Sequence, residues 1–274
     1  MGPTLWFGSL PSLMRPEKMM TQRYPFFAAL ALFAMAATVH GTENWSGPSA
    51  YLTGGLGMGD ANAKMATSYS STGYFAKSSV QSVNEVGQQN FSDDGFATGL
   101  GGAYNFQFGS LVLGLAADIN FEPLYSGNQV TNTYPDYAPY TYTVKQSVAS
   151  DGFLSLRPVL GYSIGRFLIY GTAGLAVSKI RYQGTFTDNY NGATASESKD
   201  MDETATTWIA GGGLKYRIAQ HWALSAEYLN AAFGGFSGYS DNFTEDGSAY
   251  PGTNFNHSFA LSIQTARLVL EYRF

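Results

Sequence analysis

The chain of 274 residues is rich in glycine and aromatic side chains, with 32 Gly, 19 Tyr and 19 Phe, and only 13% of its residues are charged. It contains no cysteine, which excludes disulfides as a source of stability, and its net charge of −5 disfavours a nucleic-acid partner. No unbroken apolar run reaches the roughly 20 residues that a transmembrane helix needs, so a membrane protein of this composition must cross with strands.

The first 41 residues predict a secretory signal peptide. Basic residues precede an apolar stretch at 26–37, and small residues before Gly41 suit cleavage after that position. Met19 and Met20 are alternative starts that would give a signal peptide of more ordinary length. Cleavage would remove three basic residues and one acidic residue, which changes the net charge from −5 to −7 and leaves 42–274 as the mature domain.

Eight segments of the mature chain alternate apolar and polar residues, which is typical of strands with one face in lipid and the other inside a barrel. In the last segment, Leu268, Leu270 and Tyr272 share one face, and Arg267 and Glu271 share the other. In chain order, the alternation predicts strands at residues 50–58, 95–106, 111–121, 152–162, 167–179, 206–216, 222–230 and 267–274.

Short and long connections alternate between these strands. The short turns lie near Gln107, Gly165 and Gln220. Loops above roughly 12–15 residues are uncommon in compact soluble domains, whereas outer-membrane barrels combine short periplasmic turns with long extracellular loops. The sequence therefore predicts an all-β fold: an eight-stranded antiparallel transmembrane β-barrel with four long extracellular loops. The predicted loops cover residues 60–94, 122–151, 184–205 and 234–258.

Aromatic residues cluster at the short-turn ends of the strands, as in the girdle at a membrane interface. A soluble eight-stranded barrel is the alternative, but it would place apolar side chains inside and polar ones outside. Charges on the face opposite the aromatic residues favour the membrane barrel. The predicted girdle consists of Phe106, Phe108, Tyr162, Phe167, Tyr216, Trp222, Tyr272 and Phe274.

Several stretches carry a family resemblance. These are Asn44-Trp-Ser-Gly before the first strand, Leu156-Arg-Pro-Val-Leu-Gly-Tyr and Thr207-Trp-Ile-Ala-Gly-Gly-Gly-Leu-Lys-Tyr within hairpins, and the Tyr-Arg-Phe ending. They resemble the opacity-type small outer-membrane β-barrel proteins, in particular the major outer-membrane proteins of Brucella and Rhizobium relatives. The resemblance implies a bacterial outer-membrane location and an envelope-structural or surface-contact role; some members are described as haem-binding or porin-like. The loops match no family pattern.

Six charged side chains project into the interior of the predicted barrel. Eight strands enclose a space just wide enough for side chains to fill, and buried charges persist only when they are paired. We therefore expect these charges to pair, either as a structural plug or, alternatively, along a narrow porin-like ion path. The six residues are Asp118, Arg157, Lys215, Glu227, Arg267 and Glu271.

The second predicted loop carries five tyrosines among Thr, Asn and Pro residues. This composition offers amphipathic contact surface, which makes the loop the best candidate for binding a surface ligand or host component. The alternatives are a solvated tip without a partner and tyrosines placed at the lipid headgroups. The five residues are Tyr125, Tyr134, Tyr137, Tyr140 and Tyr142.

The sequence predicts no catalytic residue, no cofactor and no metal site. His257 and Ser258 are adjacent, but neighbouring residues of an extended segment point to opposite faces. His221 stands alone in a turn, without the spacing of metal ligands. A lipid-modifying barrel enzyme is therefore the weakest alternative.

We thus predict a non-enzymatic outer-membrane protein with an envelope-structural and surface-contact role. Its expected partners are outer-membrane lipid and lipopolysaccharide, and no nucleic acid. The resemblance further implies recognition by the barrel-assembly machinery of the terminal residues Leu270, Tyr272 and Phe274.

Overall fold

The computed structural model describes residues 43–274, and the predicted signal peptide lies outside this range. Eight long strands dominate it, together with one helix, a 3-10 turn and a two-residue hairpin. The elements are β1 (Gly47–Thr67), α1 (Lys77–Val86), β2 (Gln88–Phe108), β3 (Leu111–Thr133), β4 (Thr141–Ile164), β5 (Phe167–Asp188), the 3-10 turn (Tyr190–Gly192), β6 (Ala195–Arg217), β7 (Trp222–Ser240), β8 (Thr244–Glu245), β9 (Ser248–Ala249) and β10 (Phe255–Arg273).

The eight long strands form a closed antiparallel ring. Strands β1 to β7 pair in chain order, and β10 closes the ring between β7 and β1. In the closing pair, Ala50 lies opposite Tyr272 and Leu52 opposite Leu270. The predicted eight-stranded barrel is therefore confirmed.

An apolar belt surrounds the outer wall of the barrel. Leu52 and Leu270 are 64% and 42% exposed, whereas Tyr51 and Glu271, their neighbours in sequence, are 7% and 1% exposed. A soluble barrel would show the reverse distribution. The exposed apolar face is the surface that lipid covers in an outer-membrane barrel.

Tight turns connect the strands at the periplasmic end. Gly109 and Gly165 adopt positive φ values of 61° and 56°, a conformation that glycine reaches without a steric penalty. Aromatic side chains flank these turns on the outer wall: the rings of Phe167 and Tyr216 lie 4.8 Å apart, and those of Trp222 and Tyr272 lie 5.0 Å apart. They occupy the level at which the girdle was predicted.

The strands extend further at the extracellular end than predicted. β1 continues to Thr67, with Ala61 and Ala63 buried and Asn62 exposed. The predicted loop bounds are wrong because small and polar residues form these extensions, and they carry little apolar signal. Helix α1 also lies within a segment predicted as loop. No helix in residues 43–274 is long and apolar enough to cross a membrane. At this end, the connections between the long strands cover only residues 68–87, 134–140, 189–194 and 241–254.

The wall of the barrel divides at the extracellular end. Pairing between β2 and β3 stops at Thr98 and Phe121, and pairing between β6 and β7 stops at Ile209 and Ala231. All the other neighbouring strands stay paired above this level. Two half-sheets result, β3-β4-β5-β6 and β7-β10-β1-β2, and buried side chains fill the space between them.

Candidate functional site

The candidate site is the barrel interior, and the inward face of β10 passes through each of its layers. Every second residue of this strand is buried, because strand side chains alternate. From the periplasmic end to the extracellular end, the inward residues of β10 are Arg273, Glu271, Val269, Arg267, Thr265, Ile263, Leu261, Phe259, His257 and Phe255.

Four charged residues from four strands form a ring near the middle of the membrane belt. Arg157 contacts Asp118 at 2.5 Å and Glu227 at 3.1 Å. Arg267 contacts the same two carboxylates at 2.9 Å and 2.6 Å. Two positive and two negative charges therefore alternate, and the ring is neutral. We call Asp118, Arg157, Glu227 and Arg267 the charged ring.

Neutral donors complete the hydrogen bonding of the charged ring. Tyr51 donates to Asp118 at 3.0 Å and Ser155 donates to Asp118 at 2.6 Å, while Tyr170 donates to Glu227 at 3.2 Å. Burial of charge is tolerated when every group has partners of this kind.

Little free space is left beside the charged ring. Lys215 pairs with Glu271 one layer below, so all six predicted lumen charges lie inside the barrel and in ion pairs. A cavity beside the charged ring measures about 30 Å³. That volume has room for about two or three water molecules, which is too small for a continuous water column.

The segment at residues 43–46 fills the periplasmic mouth of the barrel. Trp45 is fully buried, its indole nitrogen donates to Ser163 at 2.9 Å, and the guanidinium of Arg217 lies 4.5 Å from its ring centre. Arg273 donates to the backbone oxygens of Asn44 and Ser46. We call this segment the periplasmic plug. Sequence reasoning missed it, because a tryptophan beside a strand is equally typical of a membrane interface.

An apolar layer lies above the charged ring. Phe153, Ile209, Phe233 and Ile263 are among its fully or almost fully buried members. Further towards the extracellular end, aromatic residues form a second apolar cluster beneath α1, which we call the extracellular cap. The cap consists of Met65, Phe75, Val83, Tyr134, Tyr142, Val144, Phe186, Ala195, Phe243 and Phe255.

A polar layer around His257 separates the apolar layer from the cap. The Nε2 atom of His257 lies 3.1 Å from Glu197 and 3.2 Å from Ser240, and Nδ1 lies 3.1 Å from the hydroxyl of Tyr182. Tyr182 in turn donates to Gln146 at 2.9 Å. These five residues join both half-sheets. Sequence reasoning missed this layer because Glu197 and His257 lie 60 positions apart and no motif links them.

This polar layer does not have the geometry of a hydrolase site. Ser240 and Glu197 both contact the same nitrogen of His257, whereas a triad needs the serine and the acid on opposite ring nitrogens. His257 and Glu197 are 1% and 2% exposed, so a substrate has no access to them. Ser258 faces the other side of the strand, as the alternation predicts. Within residues 43–274, no group of three or more His, Asp or Glu residues could hold a metal ion.

The five tyrosines of the candidate binding loop do not share one exposed surface. Tyr134 and Tyr142 are 3% and 1% exposed and belong to the cap. Tyr140 packs against the cap, Tyr137 lies at the tip, and Tyr125 faces outward on β3. The residue set available for contact is therefore corrected to Tyr125, Tyr137 and part of Tyr140. Their role in binding stays a prediction.

A buried carboxylate, that of Asp188, accepts hydrogen bonds from residues around the extracellular cap. Tyr74, in the loop before α1, donates to Asp188 at 3.0 Å, and Tyr134 donates to the same carboxylate. Asp188 lies at the extracellular end of β5, outside the apolar belt, and burial raises the pKa of its carboxyl. Burial also raises the pKa of Tyr74. These contacts join two extracellular connections to the barrel.

The three terminal residues predicted as an assembly signal lie on the outer wall. Leu270 and Tyr272 are exposed, and Phe274 is 74% exposed at the periplasmic edge. Their side chains are therefore available to a partner from outside the barrel. Their role in assembly stays a prediction.

The sequence is similar to those of known bacterial outer-membrane proteins. The sequence model of the outer membrane protein beta-barrel domain matches residues 26–274. The 31 kDa outer-membrane immunogenic protein of Brucella melitensis is 30% identical over 194 residues, which cover 70% of this chain and 73% of that protein. The 22 kDa outer membrane protein of Rhizobium leguminosarum is 26% identical over 142 residues, which cover 50% of this chain and 54% of that protein.

Among solved structures, the outer membrane protein OprG from Pseudomonas aeruginosa aligns with a TM-score of 0.38 and 11% identity, covering 84% of this chain and 98% of that one. The Brucella and Rhizobium relatives confirm the resemblance that the strand motifs predicted.

Proposed function

Because the chain belongs to the outer membrane protein beta-barrel family and lies in the bacterial outer membrane, we propose that it is a closed, non-enzymatic barrel. Its role is to stabilise the envelope and to contact the surroundings through its extracellular end. The observation that carries this proposal is the filled interior, in which the periplasmic plug, the charged ring, the apolar layer, the polar layer and the cap follow one another.

The filled interior favours the interpretation of the lumen charges as a structural plug rather than as the lining of a pore. An ion path needs a continuous water-lined passage, whereas the cavity beside the charged ring holds only about two or three water molecules. Two apolar layers lie between the charged ring and the extracellular solution, and each would block an ion on its own.

Single-channel recording from the folded protein in planar bilayers tests this proposal. We expect no steady conductance above that of the empty bilayer. Arg157→Ala is the matched variant. If ions passed the charged ring, this substitution would change the conductance and the ion selectivity. If the barrel is closed, the variant should show no conductance, like the parent. Steady openings that change with this variant would replace the plug with a narrow channel.

The burial of His257 and Glu197 supports a non-enzymatic role. Incubation of the folded protein with lipopolysaccharide, phospholipid and unstructured peptide is expected to give no turnover. Turnover that is lost in a His257→Gln variant of normal fold would overturn this part of the proposal.

The outer wall supports lipid and lipopolysaccharide as the surrounding partners, since the apolar belt matches the lipid-facing surface of such barrels. The exposed Phe274 supports recognition by the barrel-assembly machinery. Deletion of Phe274 should therefore lower the amount of folded protein in the outer membrane. Normal surface levels of the truncated protein would exclude this role.

A further inference from the structure

Strand β3 has a free edge above the membrane belt. Its pairing with β2 ends at Phe121, whereas its pairing with β4 continues up to Thr133. The register of the β3–β4 pair shifts between Phe121 and Leu124, at the level where β2 leaves. Such a bulge bends a strand and accounts for the separation of the two half-sheets. The side of β3 that faces away from β4 is therefore without a strand over residues 124–133.

The hydrogen bonds identify which backbone groups face this edge. The amide of Tyr125 donates to the side chain of Asp93, and those of Gln129 and Thr133 donate to the side chains of Asn128 and Asn132. Amides used in this way point away from β4. Because the direction alternates along a strand, the N–H and C=O groups of residues 125, 127, 129, 131 and 133 face the free edge.

The sequence along the free edge lacks the features that usually protect a sheet edge. Residues 124–133 contain no charged residue and no proline, and most side chains from Gly127 to Thr133 are exposed. By contrast, the matching edge of β6 is covered, since β8 pairs with Ala195 and Ser196 and Asn242 donates to the backbone of Ser198. On β3 only the strand's own asparagines occupy the amides of residues 129 and 133, and asparagine side chains rotate easily.

Strand β2, which faces the free edge of β3 across the separation of the two half-sheets, carries two acidic residues. Asp93 and Asp94 lie on β2, five and four residues beyond Thr98, at which its pairing with β3 ends. The ion pairs within residues 43–274 do not include either of them. Asp93 accepts from the amide of Tyr125, whereas Asp94 lies on the opposite, exposed face of β2. A strand that lies along β3 would bring its membrane-proximal end to the level of Asp94.

We propose that the free edge of β3 binds an extended peptide segment of a partner protein by strand addition, with a basic residue of that segment next to Asp94. Backbone groups of residues 127, 129 and 131 supply the hydrogen bonds. This inference rests on the proposed surface-contact role and specifies its partner as a basic, extended polypeptide.

A displayed library of random linear peptides, panned on the folded protein in lipid nanodiscs, tests the proposal. The discriminating variant combines Gln129→Pro and Thr131→Pro. It removes two edge amides without breaking the β3–β4 ladder, since these amides point away from β4. Selected peptides should lose affinity at least about tenfold. The matched control, Gln129→Ala with Thr131→Ala, keeps both amides and should bind within about twofold of the parent.

N-methylated peptides give a second measurement on the unchanged protein, which removes any dependence on folding of the proline variant. Two methylated forms of each peptide are compared, one with its odd-numbered amides methylated and one with its even-numbered amides methylated. One form should lose binding and the other should keep it, because only every second amide of the peptide faces β3. Asp94→Asn should weaken binding and its salt dependence, and Asn128→Ala should strengthen binding by freeing the amide of Gln129.

Strand addition would be overturned by peptides that bind the proline variant equally well. It would also be overturned by peptides that keep binding whichever set of alternate amides is methylated. A selection that yields no peptide dependent on the edge would overturn it as well. Neither result affects the closed interior, which is measured separately by conductance.

Discussion

Replacement of Arg157 by methionine tests how far the charged ring stabilises the barrel. Arg157 donates to Asp118 at 2.5 Å, to Glu227 at 3.1 Å and to Ser155 at 3.0 Å. Methionine has a similar length and no charge, so the two carboxylates would face Arg267 alone, with one negative charge unbalanced. Loss of one partner from a buried ion pair costs about 3–5 kcal/mol, and we expect the free energy of unfolding to fall by that amount.

Urea unfolding in lipid vesicles, followed by tryptophan fluorescence and by gel mobility before and after boiling, measures this change. Arg181→Met is the control, because its ion pair with the exposed Asp151 should contribute less than about 1 kcal/mol. Adding Glu227→Gln to Arg157→Met restores neutrality, and the double variant should be more stable than the sum of the single effects by about 0.5–3 kcal/mol. A loss below about 0.5 kcal/mol in Arg157→Met would refute the reasoning.

Three further predictions concern the wall, the plug and the cap. Leu270→Arg should lower the free energy of unfolding by about 2–4 kcal/mol if residue 270 lies near the bilayer midplane; an unchanged urea midpoint would contradict a lipid-facing position. Trp45→Ala should cost about 3–5 kcal/mol in the same assay, through lost packing and the lost bond to Ser163; a neutral effect would show that the plug does not contribute to stability. Burial raises the pKa of Asp188, so the folded state holds this proton more tightly than the unfolded chain, and the cap gains stability as the pH falls through that pKa. Proteolysis within residues 68–76 should therefore slow from about pH 7 to about pH 4 in the parent, while an Asp188→Asn variant should lack this component.

The membrane-embedded part of the fold is predictable from the sequence because lipid imposes a strict alternation. Leu154, Leu156 and Leu160 face outward, and Ser155 and Arg157 face inward, as the pattern requires. The same alternation places the lumen charges on the inner face. It does not specify which charge contacts which, since Arg157 and Glu227 meet across the lumen from strands far apart in the chain.

The extracellular part is harder to predict because water tolerates many patterns. Residues 195–205 of β6 have the composition of a loop, since polar and charged residues dominate there, although Ala195, Glu197 and Met201 are buried. Tyr134 and Tyr142 read as surface residues and instead fill the cap. Burial of these residues depends on long-range packing between the half-sheets, which no local pattern reports.

Thiol accessibility inside the barrel tests the closed interior most directly. The chain contains no cysteine, so Ser225→Cys introduces a single thiol, and the hydroxyl that it replaces is buried beside the charged ring without a hydrogen-bond partner in residues 43–274. Ser237→Cys, on the exposed face of the same strand, is the control. With a small charged thiol reagent, the closed barrel predicts rapid labelling at residue 237 and labelling at residue 225 only after unfolding. Similar labelling rates at both positions in the folded protein would contradict it.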